Sequence, residues 1–230
     1  MTTLGNHELA GTSRDGSALR VAIVNDGRTR SLRVIAPHAA ALAGFEGEAS
    51  ELGEGSLLVG PLSPANAAAL RSHVAVLNPR PIGLAASAGT GDRLGLSTPG
   101  HVRAFRRYGS GLIPFFTQQS AREMGKLHRS PQQVMDDATF GILEGGWEGP
   151  HGSDADHLHT IEDIDRCIPA GFTMFTIDPG DEVVPIEGAP TQAQLDAVPW
   201  AGLETDLASM LGRYAGLVID LGSDKLTLSP

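Results

Sequence analysis

Short apolar runs separated by turn residues characterise the first part of the chain. Four of them have the length and composition of β-strands: residues 20–24, 31–35, 56–59 and 74–77. The alanine-rich stretch 39–43 reads as helix, and the segment 63–70 begins with Ser-Pro, as capped helices often do. We therefore predict a small α/β subdomain over residues 1–80.

From residue 81 onward, strand-like segments alternate with helical patterns. The strand candidates recur at similar intervals: residues 82–88, 112–117, 155–158 and 172–177. Ser130 followed by Pro131 predicts the start of one helix, and the capping arrangement that begins at Thr160 predicts another. The second part of the chain therefore reads as strand, loop, helix and strand in repetition.

Such alternation with short connections indicates parallel strands, in either a TIM-type barrel or an open doubly wound sheet. We count about four βα units, whereas a closed barrel contains about eight. We predict that residues 81–230 form a TIM-barrel-like domain of βα repeats whose barrel is incomplete. Its open apolar sheet edge is expected to favour self-association.

Composition narrows the class of partner. The formal net charge of −10 argues against a nucleic-acid partner, which needs clustered Lys and Arg. Arg103, Arg106 and Arg107 have the spacing of a solvated helix face, with an anionic small molecule as the alternative. The single cysteine, Cys167, allows no intrachain disulfide. Since no apolar stretch approaches the roughly 18 residues of a membrane span, we predict a cytoplasmic protein without membrane contact.

Polar residues fall near the end of each of the four strand candidates of the second part. The groups are Gly91-Asp92-Arg93, Gln118-Gln119-Ser120 with Arg122, Asp154-Ala155-Asp156-His157, and Asp178-Pro179-Gly180-Asp181. The carboxyl ends of parallel strands converge on one crevice. We therefore expect these carboxylates, amides, guanidinium groups and the imidazole to surround one small ligand.

Asp156 and His157 are the strongest candidates for chemistry. An imidazole beside a carboxylate is a usual ligand set for a catalytic divalent cation, and either group can act as general acid or base. His159 is a candidate third ligand. The alternative is that His157 or His159 caps or packs against the following helix. Adjacent residues of a regular strand point to opposite faces, whereas at a strand end both Asp156 and His157 can reach the rim, so the sequence leaves their geometry open.

The remaining candidates each have a structural alternative. Asp92 and Arg93 are candidate ligand contacts or a structural ion pair, and Arg122 binds an anion or pairs with Glu123. Asp178 contacts the ligand or begins a proline-glycine turn. The glycine-rich segment 89–100 lacks both the Rossmann fingerprint and the Walker lysine, so we reject nucleotide binding there.

Five segments together resemble the tagaturonate epimerase family of hexuronate catabolism over residues 83–182: GTGDRLGLSTPGH, QQSAREM, PQQVMDDATFGILEGGW, DADHLHT and GFTMFTIDPGD. The resemblance implies a barrel-like fold, a divalent metal cofactor and a sugar-acid substrate. It also implies that Asp156 is the proton acceptor and His157 the first metal ligand. Family members are considerably longer, so the other ligands and the proton donor are expected beyond Pro230.

The implied reaction interconverts tagaturonate and fructuronate by inverting one carbinol carbon, which does not adjoin the ketone. Simple abstraction of an α-proton therefore does not invert it, and we favour retro-aldol cleavage and re-addition over a transient oxidation. Arg93, Arg122, Asp92, Gln118, Gln119 and Asp178 are our candidates for binding the substrate. Two other functions stay open: another metal-dependent sugar isomerase or aldolase, and a sugar-acid or metal-binding fragment without turnover.

Overall fold

The first part of the described chain folds into a five-stranded antiparallel sheet in which the fifth strand lies between the third and the fourth. The computed structural model describes these residues: 7–180, 183, 188–202 and 205–228. The strands of this sheet are β1 (Glu8–Thr12), β2 (Ala18–Asn25), β3 (Arg30–Ala36), β4 (Glu48–Leu52) and β5 (Gly55–Gly60). Leu32, Val34 and Ala36 alternate with less buried residues along β3, so one face of the sheet meets the core.

Helix α1 (Pro64–His73) follows this sheet, and the hydroxyl of its N-cap Ser63 accepts the Asn66 N–H. Strands β2, β3 and β5 and helix α1 confirm the predictions for this region, whereas β1 and β4 were not predicted. The alanine-rich stretch forms only a short 3-10 helix, Ala39–Leu42.

The prediction of a strand at 74–77 was wrong. The Val74 N–H donates to the Leu70 carbonyl and the Leu77 N–H to the Val74 carbonyl, so this run continues the helical turn as a 3-10 helix, Ala75–Leu77. Both Val74 and Leu77 are buried. A short buried apolar run has the same sequence pattern in a strand and in a helical turn.

The second sheet contains, within the described residues, four parallel strands arranged in chain order. They are β6 (Ser87–Gly89), β7 (Ile113–Ser120), β8 (Gly152–Leu158) and β9 (Met174–Ile177). The intervening helices are α2 (Thr98–Tyr108), α3 (Ala121–Lys126), α4 (Pro131–Gly145) and α5 (Ile161–Cys167). The predicted βα repeats are thus present. Strand β6 is shorter than the predicted 82–88, where Leu84 is fully exposed.

Helix α4 packs against elements of both sheets. Its first turn carries the predicted N-cap as a full capping box, in which Ser130 and Gln133 bind each other's backbone N–H. It contacts α1, α2, β2 and β7. Its glycines Gly141 and Gly145 face Thr98 and Val102 of α2, so the two helices approach closely.

Residues on both sides of position 80 share one hydrophobic cluster, which includes Leu32, Val34, Phe116, Phe140 and Ile142. The chain divides instead into compact units 1–181 and 182–230. A second cluster of the first unit lies beneath the ends of β8 and β9 and includes Met124, Met135, Ala155, Leu158, Cys167 and Phe172. The predicted boundary at residue 80 thus falls inside one compact unit.

The described part of unit 182–230 contains short elements. They are α6 (Gln192–Asp196), a 3-10 helix (Trp200–Gly202), α7 (Leu207–Tyr214), and the antiparallel pair β10 (Val218–Asp220) and β11 (Lys225–Thr227). Leu207, Leu211 and Tyr214 recur at helical spacing along α7 and are exposed. None of the helices in the described ranges is long and apolar enough to cross a membrane.

Candidate active site

The carboxyl ends of β8 and β9 bring Asp156, His157 and Asp178 together. His157 Nδ1 lies 2.8 Å from Asp178 Oδ2, and His157 Nε2 lies 3.6 Å from Asp156 Oδ2. Asp156 and Asp178 are partly buried, while His157 is more than half exposed. One imidazole therefore lies between carboxylates from two neighbouring strands, at the edge where the sequence predicted a crevice.

A local backbone irregularity explains how the adjacent residues Asp156 and His157 reach the same rim. The register between β8 and β9 shifts between Ala155 and Leu158, and His157 has a φ of 52°. A left-handed conformation is uncommon for a residue other than glycine, and such strain concentrates at functional sites. The bulge removes the strict alternation of a regular strand, which is why both side chains face one another.

Hydrogen bonding shifts the pKa values of Asp178 and His157. The Asp178 carboxylate accepts from His157 and from the Gly180 N–H, and these bonds hold the pKa of Asp178 below its ordinary value. The bond to Asp178, and then the charge of Asp156, raise the pKa of His157. Because the ionised Asp178 is an acceptor, His157 Nδ1 carries the proton. In the neutral imidazole, the Nε2 lone pair is then directed to the side of Asp156.

The donor types at this rim suit a divalent cation. A metal-binding imidazole usually donates its other N–H to a carboxylate, as His157 does to Asp178. His159 Nε2 lies 3.7 Å from the same Asp178 oxygen. However, no group of three or more His, Cys, Asp or Glu side chains in the described ranges could hold a metal ion. The described residues therefore fit such a site in kind and supply only part of it.

A partly buried polar ladder joins β7, β8 and β9 two residues before this rim. Gln118 Nε2 donates to Asp154 Oδ2 at 3.0 Å, and the Thr176 hydroxyl donates to Asp154 Oδ1 at 2.9 Å. Burial raises the pKa of Asp154 despite these bonds. Gly89 of β6 lies so close to the Gln118 amide that a Cβ there would force the Gln118 side chain to move. The Gln118 side chain, a predicted substrate contact, is thus engaged with the protein itself.

Asp92 is buried and binds the start of α2. Its carboxylate accepts the N–H groups of Leu96, Ser97 and Thr98 and the Thr98 hydroxyl, at 2.8 to 3.1 Å. Burial raises the pKa of Asp92, but these hydrogen bonds outweigh it and leave the pKa below its ordinary value. The Asp92 carboxylate therefore serves as a helix cap in this structure.

The two candidate arginines are placed differently. Arg93 forms an ion pair with Glu123 of α3, so the suggested pair between Asp92 and Arg93 is not what the structure shows. Arg122, suggested as the partner of Glu123, is exposed at the start of α3. Its charge lowers the pKa of His157, opposing the larger upward effect of Asp178. Arg122 thus acts electrostatically on the rim, and Arg93 is tied to α3.

Sequence reasoning missed one group near the site, Arg129, which binds Gln119. Asp154 was expected among the carboxylates around the ligand, but its carboxylate binds Gln118 and Thr176. The only signal for Arg129 was its place directly before the N-cap of α4. Asp181 of the Asp178 motif lies outside the described residues.

The fold and the rim together define a class of protein. Parallel βα repeats carry an imidazole and carboxylates at the carboxyl ends of neighbouring strands, and in such folds catalytic groups occupy that edge. Comparison with known proteins identifies the family. The model of the tagaturonate epimerase family matches residues 12–229, so the chain belongs to that family.

Known relatives are longer than this chain. The Tagaturonate/fructuronate epimerase of Thermotoga maritima is 49% identical over 118 residues, covering 51% of this chain and 24% of that protein. The native crystal structure of fructuronate-tagaturonate epimerase UxaE from Cohnella laeviribosi matches with a TM-score of 0.72 at 26% identity. The matched region covers 92% of this chain and 42% of the chain in that structure. The structure of the same Cohnella laeviribosi epimerase complexed with one glycerol has a TM-score of 0.74 at 25% identity, and the match covers 97% of this chain and 44% of that chain. The chain thus spans less than half the length of these relatives.

Proposed function

We propose that this chain acts in the epimerisation of D-tagaturonate to D-fructuronate and the reverse. The observation that carries the proposal is the meeting of Asp156, His157 and Asp178 at the strand ends of a family member. The Thermotoga maritima and Cohnella laeviribosi proteins are named for this activity. An isomerase acting on a sugar acid is therefore the function best supported.

We propose that Asp156 is the proton acceptor in a retro-aldol sequence. Asp156 removes the hydroxyl proton at the carbon to be inverted, and the bond from that carbon to its neighbour next to the ketone breaks. The carbon becomes an aldehyde, and the bonding electrons form an enolate with the ketone. After the aldehyde turns over, the same bond re-forms on its other face, and Asp156 returns the proton to the new alkoxide.

We also propose that His157 Nε2 is a metal ligand, with Asp178 fixing the orientation of the imidazole. A bound divalent cation would polarise a substrate oxygen. His159 is the neighbouring imidazole that extends the donor set. The further ligands are expected in the part of the family fold that the described residues do not include.

The substrate carboxylate requires a cationic partner, and Arg122 is the better of the two predicted arginines. Arg93 already pairs with Glu123, whereas Arg122 lies exposed beside the rim and acts electrostatically on His157. A guanidinium group binds a carboxylate through two parallel hydrogen bonds. The substrate contacts predicted for Asp92, Gln118, Gln119 and Asp178 stay predictions. In the structure each of these side chains already binds a protein group.

We propose that β6 to β9 form one side of a TIM-barrel-like sheet that the rest of the family fold completes. Met174 and Ile177 are exposed on β9, an edge strand of the described sheet. Pairing along that edge, by the rest of the fold or by a second copy, would cover them. The cytoplasmic location inferred from the sequence stays a prediction.

One observation favours a second function, binding without turnover. The described residues contain no complete group of metal ligands. An open metal site usually needs about three protein ligands. In this alternative the chain binds a sugar acid or a metal ion but does not convert it.

The test is conversion of D-tagaturonate by the purified chain with added manganese, cobalt, nickel or zinc. We expect metal-dependent formation of D-fructuronate that falls by a factor of about 100 or more in Asp156→Asn. Asp165→Asn, an exposed carboxylate on α5, is the matched control and should keep the wild-type rate. Binding of the sugar acid without product would support the second function instead.

A further inference from the structure

Arg129 lies in the three-residue connection between α3 and the N-cap of α4, where backbone hydrogen bonds fix its position. The Arg129 N–H donates to the Met124 carbonyl at 2.9 Å, and the His128 N–H to the Gly125 carbonyl at 3.3 Å. His128 has a φ of 52°, which completes a Schellman closure of α3. The next residue, Ser130, begins the capping box of α4. The backbone of Arg129 is therefore held from both sides.

The Arg129 guanidinium connects three parts of the site wall. Nη1 donates to the carbonyls of Asp92 and Arg93 at 3.0 and 2.8 Å and to Gln119 Oε1 at 2.6 Å. Nη2 pairs with Asp137 of α4 at 2.6 Å. Only 12% of the side chain is exposed. One cation thus ties the loop after β6 and the end of β7 to helix α4.

These bonds constrain the loop after β6 and the Gln119 side chain of β7. Because Nη1 donates to the Gln119 amide, the acceptor atom must be the oxygen, so Nε2 of this buried side chain points the other way. The carbonyls of Asp92 and Arg93 belong to the loop that Asp92 connects to α2. The ion pair of Arg93 with Glu123 links the same loop to α3, directly beside Arg122. Movement of the loop after β6 would therefore also move Arg122, the cationic residue near His157.

We propose that Arg129 is a positioning residue that holds the Asp92–Arg93 loop and the end of β7 in the geometry that binds the sugar-acid carboxylate. This proposal rests on the proposed function for its substrate. A planar guanidinium presents donors in several fixed directions, whereas a lysine ammonium is a single point on a flexible stem. The four acceptors lie on three elements and are reached from both terminal nitrogens, an arrangement that suits the first kind of group.

The test compares the wild-type chain with Arg129→Met in two measurements. Hydrogen exchange should become about tenfold faster at the amides of Leu96, Ser97 and Thr98, and stay unchanged in β2 and β3. In tagaturonate conversion, KM should rise about tenfold while kcat stays within about threefold. Arg129→Lys should restore little of the KM. The control Arg107→Met removes an exposed guanidinium of α2 that lies over Tyr108 and should match wild type in both measurements.

Each contrary outcome is distinguishable. Equal exchange in wild type and Arg129→Met, or faster exchange spread evenly through β2 and β3, would overturn the positioning role. A loosened loop with unchanged KM would overturn its connection to the substrate. If the wild-type chain shows no turnover, the proposed function fails separately. The dissociation constant for tagaturonate, measured by calorimetry, then replaces KM. An equal dissociation constant in Arg129→Met, or no binding by the wild-type chain, overturns the link between Arg129 and substrate binding.

Discussion

His151, at the start of β8, is a buried imidazole outside the rim. It is 1% exposed, its Nε2 donates to the Val76 carbonyl at 3.1 Å, and its ring lies 6.2 Å from that of Phe116. Burial lowers its pKa from 6.5 to about 4. Since charging this ring inside the core is unfavourable, the folded protein keeps it neutral where the unfolded chain takes up a proton.

The resulting pH dependence has a definite sign. Above about pH 6.5 neither state is protonated at His151, and the full stability is present. As the pH falls from 6.5 toward 4, only the unfolded state gains the proton, so stability decreases by up to about 1.4 kcal/mol per pH unit. Urea unfolding at pH 7, 6 and 5 should show a weaker dependence in His151→Gln, which keeps a donor for Val76. Equal dependence in both proteins would contradict the assignment.

The identity of the candidate site residues was accessible from the sequence, but their contacts were not. Asp156 and His157 lie near the carboxyl end of β8 and Asp178 directly follows β9, and their convergence follows from parallel topology. The bulge at His157 has no sequence signature, so the imidazole between two carboxylates was not predicted. Asp92 and Gln118 carry the same signal as the rim residues. They are taken up by the framework because buried polar groups must be paired, and those partners depend on the fold.

At the scale of elements, the contact between α2 and α4 depends on small residues. A Cβ added at Gly145 would lie 2.8 Å from the Val102 Cβ, closer than real contacts allow. Gly145→Ala should therefore destabilise the protein by about 1–2 kcal/mol through overpacking, although alanine favours the helix. Gly125→Ala on α3, where nothing lies within 4 Å, is the matched control and should stabilise it by about 0.5 kcal/mol.

Denaturant midpoints of the two variants measure this difference directly. Equal and positive changes in both would show that α2 and α4 do not pack as closely as described.

Helix α4 could be predicted from the sequence, whereas the 3-10 helix Ala75–Leu77 could not. Ser130 and Pro131 predicted the start of α4. The run 74–77 was wrongly predicted as a strand, because a run of four apolar residues fits either a strand or a helical turn. A helix cap depends on a few neighbouring residues and can therefore be recognised in the sequence. A run of four apolar residues is too short to show whether its hydrophobic period is that of a helix or of a strand.

At the scale of the whole molecule, the sequence predicted parallel βα repeats and an incomplete barrel. The parallel sheet is present, and the chain belongs to a family whose solved structures it covers by 42 to 44%. The predicted division at residue 80 did not anticipate that the N-terminal sheet shares a core with β7 and α4. Long-range packing of this kind leaves no local pattern, so a change of rhythm in the sequence did not mark the edge of a compact unit.

The central claim is that Asp156 is the proton acceptor of an epimerase site to which this chain contributes one part. The most direct measurement is conversion of D-tagaturonate, followed by NMR, by the chain alone and mixed with the part of the Cohnella laeviribosi epimerase that it does not cover. We predict that the mixture forms D-fructuronate faster than either component, and that Asp156→Asn in this chain lowers its rate by a factor of about 100 or more. An equally fast mixture containing Asp156→Asn would contradict the account.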